Sequence, residues 1–151
     1  MEENLKKLFI ADYSAAEAGN YSPLVLAFAG DAAYELAVRT MLVKRGNARP
    51  NDLTRKKAAY AKASAQSRMS AAIKPYLTEE EAGIFRRGRN AKTSSTAKNA
   101  SAQDYRRATG LEALIGWLYL TGNVERMLEL IRIGVESEDP ERKECAGDGQ
   151  N

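Results

Sequence analysis

Histidine is absent from the 151 residues, and cysteine occurs once, as Cys145. Without histidine, Ser-His and Cys-His nucleophilic sites and the usual zinc sites are excluded. A lone cysteine in a polar stretch excludes internal disulfides and cysteine-based metal clusters. No apolar run reaches the roughly 18 residues that would span a bilayer. The Glu2-Glu3 start lacks the basic and apolar regions of a secretory leader, so the cytoplasm is the expected compartment. Strand signals are nearly missing too, since no hairpin turn dipeptide separates alternating β-branched runs. Proton or metal chemistry must then run mainly on carboxylates, lysine, tyrosine or hydroxyls. Oxygen ligands favour Mg²⁺, with Mn²⁺ as the alternative.

The formal net charge of +3 hides an asymmetry. Residues 1–30 carry two bases against four acids, residues 31–107 seventeen against seven, and residues 108–151 four against nine. A segment of +10 between acidic ends reads as a patch for a polyanion, or else as an ordinary solvated helix surface.

Helix signals recur along the chain. A short helix is expected around Asn4–Ile10, followed by an irregular stretch. Ser22-Pro23 marks an N-cap and first helical position, opening a helix to about Val43. Pro50-Asn51-Asp52 opens a second long helix that runs to about Ile73 and stops at Pro75. Thr78-Glu-Glu-Glu81 is a capping box beginning a helix to about Arg87. A polar, basic loop over Gly88–Ser101 follows, with Gly88 allowing a sharp turn. Further helices are expected from Ala102 to Leu120, closed by Gly122, and from Val124 to about Glu136, capped by Asn123. The expected class is all-α, a helical bundle. Residues 1–21 form an extension, 22–137 the domain, and 138–151 a disordered acidic tail.

Two carboxylates stand in mid-helix, where burial would cost several kcal/mol without compensation. Asp31 shares a face with Ala27, Tyr34 and Glu35, and Glu112 shares one with Tyr105, Thr109 and Gly116. Small Ala27 leaves space one turn before Asp31, and side-chain-free Gly116 admits another backbone. The Thr109 hydroxyl is placed to bond Glu112 from i−3. If these faces meet, Asp31, Glu112 and Glu35 converge on one hard cation. Such an ion keeps several waters, and a water of this kind can act as nucleophile beside a neutralised phosphate. The alternative is that each acid pairs with a base, Glu35 with Arg39 at i+4 for example.

The strongest binding segment runs from Arg86, Arg87, Arg89, Asn90 and Lys92 through Lys98 to Arg106 and Arg107. Seven bases there face one acid, Asp104. Its hydroxyls and amides suit phosphate and 2′-OH contacts rather than base reading. Arg55, Lys56 and Lys57, with Lys62 and Arg68, make a second basic face. Phe28, Trp117, Leu118 and Leu120 belong to a core or an oligomer interface, and Tyr34, Tyr60 and Tyr119 to either.

The segment Leu26-Ala-Phe-Ala-Gly-Asp-Ala-Ala-Tyr-Glu35 resembles the signature helix of the ribonuclease III catalytic domain. Thr109-Gly-Leu-Glu-Ala-Leu-Ile-Gly-Trp-Leu-Tyr-Leu120 resembles that family's second acidic motif. Arg87-Gly-Arg-Asn-Ala-Lys92, Pro50-Asn-Asp-Leu53, Thr78-Glu-Glu-Glu81 and the Tyr105–Thr109 approach resemble the short Mini-III branch, which lacks a double-stranded-RNA-binding domain. The likeness covers roughly residues 22–136, and its motifs are specific when taken in order.

The resemblance implies an all-α homodimeric endoribonuclease that cuts double-stranded RNA with Mg²⁺, leaving 5′-phosphate and 3′-hydroxyl ends. It also implies trimming of large-subunit (23S) ribosomal RNA precursors, with an accessory ribosomal protein presenting the substrate left open. Asp31 and Glu112 match metal-binding carboxylates. Classical ribonuclease III has acids where Ala27 and Thr109 stand here, departures typical of the branch. Glu35 is the residue expected to replace the missing acid in part, with Thr109 supporting. The rival readings are a non-catalytic RNA-binding or ribosome-assembly module, and a structural helical interaction protein.

Overall fold

Capping chemistry sets most helix ends. The computed structural model describes residues 12–92 and 101–139. Among them the chain forms α1 (Ala15–Gly19), α2 (Pro23–Arg45), α3 (Pro50–Ala61), α4 (Ala63–Ile73), a 3₁₀ turn (Lys74–Tyr76), α5 (Glu79–Asn90), α6 (Ala102–Leu120) and α7 (Val124–Glu138). The all-α expectation holds. Pro23 and Pro50 occupy first helical turns, and Thr78 and Glu81 form the expected capping box. Gly122, at φ 76°, turns the chain after α6 in the left-handed region that favours glycine.

Four boundaries differ from the sequence expectation. The stretch after Ile10, read as irregular, contains α1, which Ser14 and Glu17 cap reciprocally. The helix expected around residues 4–10 lies outside the described residues, as does the tail from Pro140. The long helix from Pro50 breaks at Lys62, whose extended backbone closes α3 and opens α4. A tertiary bond accompanies the break: the buried Tyr34 hydroxyl donates to the Tyr60 carbonyl oxygen at 2.7 Å. That carbonyl lies in the last turn of α3, where no intrahelical partner remains. Finally, α5 continues to Asn90, and the Asn123 side chain makes no cap bond, donating to the Thr121 hydroxyl instead.

Helix α6 is buried on almost every side from Ala108 to Leu118 and forms the centre of the bundle. Helices α2, α4, α5 and α7 pack around it. Leu26, Val38, Met69, Ile73, Leu114, Ile115 and Leu130 are almost wholly buried between them. Two faces of α6 approach their neighbours at backbone distance. A Cβ on Gly30 would overlap the Glu112 carbonyl oxygen, and one on Gly116 would overlap that of Leu26. On the α5 side, a Cβ on Gly88 would sit 2.7 Å from the Ala113 Cβ. Gly88 therefore serves close helix packing, not the turn expected of it.

Overlap with backbone cannot be relieved by a rotamer change. Gly30→Ala is expected to cost more than about 3 kcal/mol, lowering Tm by at least about 6–12 °C. Gly83→Ala, whose Cβ would meet nothing nearer than Arg86 at 3.9 Å, should instead stabilise α5 by roughly 0.5–1 kcal/mol. Thermal melts of both variants check this, and similar shifts in the two would refute the close α2–α6 contact.

Candidate active site and basic surface

Helix periodicity turns the Gly30–Gly116 crossing into a chemical site. Asp31 follows Gly30, and Glu112 lies one turn before Gly116. Asp31 is exposed and Glu112 half-buried, so the expected burial applies to one acid only. Burial, and next the charge of Asp31, push the Glu112 carboxyl up to about 8. Among the described residues no cation offsets that charge. Two hard oxygen donors short of positive charge fit a divalent cation that keeps several waters.

The wider acid cluster does not form. No group of three or more Asp, Glu, His or Cys side chains suited to a metal occurs among the described residues. Glu35 faces away, with Lys57 Nζ at 2.9 Å and Arg39 Nη2 at 3.1 Å. Its hydrogen bonds to Lys57 and then Arg39 hold its carboxyl below the usual range. The i+4 pairing is therefore present, joined by a lysine from α3. Thr109 is buried, and its hydroxyl donates to the Tyr105 carbonyl at 3.0 Å, not to Glu112. Ala27 is packed into the core.

The basic residues divide into groups. Arg89, Asn90, Lys92, Tyr105 and Arg106 line one cleft of about 480 Å³ between the end of α5 and the start of α6. Arg86 is exposed and Arg107 half-buried, and neither lines this cleft. Arg87 donates to the Gly19 and Tyr21 carbonyls at 2.6 and 3.4 Å, tying α5 to the end of α1. Lys98 lies outside the described residues. Arg55 pairs with Asp52 at 3.1 Å, and Lys56 is exposed on α3. Arg45 and Lys57 also take part in this surface. Lys57 belongs to the expected basic face but is held by Glu35 from α2, and Arg45, paired with Asp139 from the end of α7, is the one that carries no local sequence signal.

Phe28 is 83% exposed, which excludes it from the core. With Val25, Leu36 and Val43 it makes an apolar stripe along α2. Beside the stripe, Leu36, Met41, Val124, Met127 and Leu128 line a groove of about 630 Å³. Trp117 and Leu118 are buried, and Leu120 is half-buried against the core. Tyr34 and Tyr60 are buried as well.

Residues 24–123 match the family described as Ribonuclease III domain. The chain is 49% identical to a Mini-ribonuclease 3 of Brevibacillus brevis over 74% of this chain and 83% of that one. It is 43% identical to a Mini-ribonuclease 3 of Clostridium tetani over 85% and 87% respectively. A crystal structure of a Fusobacterium nucleatum protein superposes with a TM-score of 0.71 at 34% identity, covering 80% of this chain and 96% of that one.

The raised Glu112 carboxyl predicts a pH-dependent stability. An acid that binds its proton more tightly when folded contributes stability fully present below its unfolded value of 4.5, and lost as pH rises through about 8. In chelator, Tm should fall from about pH 5 to about pH 8.5. Glu112→Gln should flatten that fall and melt above wild type at the alkaline end. Added Mg²⁺ should restore wild type there and leave the variant unmoved. Parallel pH profiles for the two proteins would refute the assignment.

Proposed function

The chain belongs to the ribonuclease III family, in its Mini-ribonuclease 3 branch of endoribonucleases, and on that premise we propose that it cuts double-stranded RNA with Mg²⁺ held by Asp31 and Glu112. Mn²⁺ satisfies the same oxygen donors. The observation that carries this reading is the uncompensated carboxylate pair at the α2–α6 crossing. When bound, the divalent cation supplies positive charge opposite the scissile phosphate and activation of a water. Glu112, half-buried and attached to the central helix, fixes one ligand position, while exposed Asp31 keeps the site open to substrate. Arg86, Arg89, Asn90, Lys92 and Arg106, together with Lys56, hold the RNA backbone by charge and hydrogen bonds, without reading bases. Arg87, Arg107, Arg55 and Lys98 complete the proposed basic surface, Arg87 acting mainly by fixing α5 in place.

Glu35 supports the site indirectly. Its bond to Lys57 fixes the α3 basic face one helical turn from Asp31. The biological substrate is proposed to be the ends of the 23S ribosomal RNA precursor in the cytoplasm, where a ribosomal protein can present them. No helix among the described residues is long and apolar enough to cross a membrane.

Two copies pair along the exposed stripe of α2. A two-fold interface sets the same patch on both copies, and the apolar stripe with its adjoining groove offers such a patch. Burying each large apolar side chain there contributes about 1.5–3 kcal/mol.

Asp31→Asn should lose Mg²⁺-dependent cleavage of duplex RNA by at least about 100-fold while binding the duplex as well as wild type. Glu35→Gln should cleave more weakly at an unchanged Mg²⁺ midpoint, because its oxygens face Lys57. Cleavage by Asp31→Asn at the wild-type rate would overturn the metal site, and a shifted midpoint in Glu35→Gln would make Glu35 a ligand. Phe28→Glu should convert the dimer to a monomer in light scattering. A variant that stays dimeric would refute the α2 interface.

A further inference from the structure

A second basic groove, whose lining includes neither Asp31 nor Glu112, is bordered by Tyr60 and the α3–α4 break. Its volume is about 590 Å³, and Arg45, Lys56, Lys62 and Arg68 contribute its cations from the end of α2, from α3, from the α3–α4 break and from α4. Tyr34 joins the two regions. Its hydroxyl is bonded to the carbonyl of Tyr60, a residue of the groove lining, and the phenol feels the charges of both Glu112 and Glu138.

The groove already holds anions. Glu138 receives two parallel bonds from Arg68, Nε to Oε1 at 2.9 Å and Nη2 to Oε2 at 3.0 Å. Asp139 lies 3.9 Å from Arg45. The forked pairing at Arg68 is the geometry with which a guanidinium also takes two phosphate oxygens. Both arginines keep about half their side-chain surface in solvent, 51% for Arg68 and 47% for Arg45. The long Arg45–Asp139 contact, with 33% of the Asp139 side chain in solvent, is a weak and easily exchanged pair. The forked Arg68–Glu138 pair, with Glu138 only 9% exposed, is the firmer latch that a phosphate has to compete with. Lys56 and Lys62 are exposed and make no ion pair among the described residues, leaving the groove with surplus positive charge.

We propose that this groove is a second backbone-binding subsite for duplex RNA, and that Glu138 and Asp139 occupy it as internal phosphate mimics that the RNA displaces. The proposal rests on duplex RNA being the substrate. Displacement frees two arginines for phosphates, so the acids reduce affinity for any duplex too short to span from the carboxylate pair to the groove. Longer duplexes gain the extra contacts and overcome the competition. The end of α7 thus discriminates substrates by length without reading sequence.

The test uses the full chain in chelator, with labelled duplex RNA titrated over a range of salt. The double substitution Glu138→Gln with Asp139→Asn should tighten binding about 3- to 10-fold and steepen the slope of log affinity against log salt by about 1–2, at 0.9 per phosphate engaged. The same charge change on α7 but outside the groove, Glu125→Gln with Glu129→Gln, should leave the slope unchanged. Asp139→Asn alone spares the Arg68 contact and should steepen it by about 1.

If the acids merely fasten α7, the double variant will melt earlier with affinity and slope unaltered, and the proposal is overturned. Equal tightening by the control pair overturns it too. Wild-type protein that binds no duplex RNA defeats both this subsite and the proposed function, whereas wild type that binds and cleaves beside unchanged variants defeats the subsite alone.

Discussion

Everything chemical in this domain depends on α2 and α6 touching backbone to backbone at Gly30 and Gly116. Ordinary helix pairs are held 8–10 Å apart by their side chains. Here neither helix can carry a Cβ at the crossing, because each would strike a carbonyl of the other. Asp31 is the residue after one glycine, and the carbonyl facing Gly30 is that of Glu112. The contact that makes the core compact therefore also sets two carboxylates beside each other, and neither feature can be had without the other.

The electrostatic consequence is clearest against a second buried acid in the same molecule. Glu81 is only 4% exposed, yet Arg126 binds both its oxygens at 2.8 and 2.9 Å, and Thr78 donates its backbone N–H. The Arg126 bonds hold its carboxyl below the usual range. Glu112 is shifted the opposite way, first by burial and next by the charge of Asp31, with no arginine among the described residues to override them. Burial alone does not decide the sign; the partner does. Among the described residues the fold supplies an arginine to Glu81 and none to Glu112, and an acid left in that condition marks a place where a ligand completes the charge balance.

Much of this was legible in one dimension, where the information is local. Proline at first turns, the Thr78 capping box and the mid-helix acids each announce themselves within four residues. What escaped depends on residues far apart in the chain. The break at Lys62 contains neither proline nor glycine, and it is held by a hydroxyl from Tyr34, 26 residues earlier. Glu35 sits at the right spacing to join Asp31, but Lys57, 22 residues later and from another helix, turns it aside. Gly88 reads as a turn because its reason for being glycine is the close approach of Ala113 and Gly110, on the far side of the basic segment. Periodicity shows which face a residue occupies, and only packing decides what that face meets.

The same distinction reshapes the charge pattern. Along the chain, residues 31–107 form one block of excess positive charge. Folding sorts those cations into two populations. Arg87 holds helix carbonyls, Lys57 holds Glu35, and Arg68 is closed by Glu138 from the acidic end of the chain. Lys92, Arg106 and Lys56 remain exposed in the linings of the two grooves, and Arg86 is exposed on α5. Counterion release rewards only cations free to meet phosphate, so affinity for RNA depends on this division and not on the total of +10. Because Arg68 stands on the border between the populations, the acids at the end of α7 control how large the second one is.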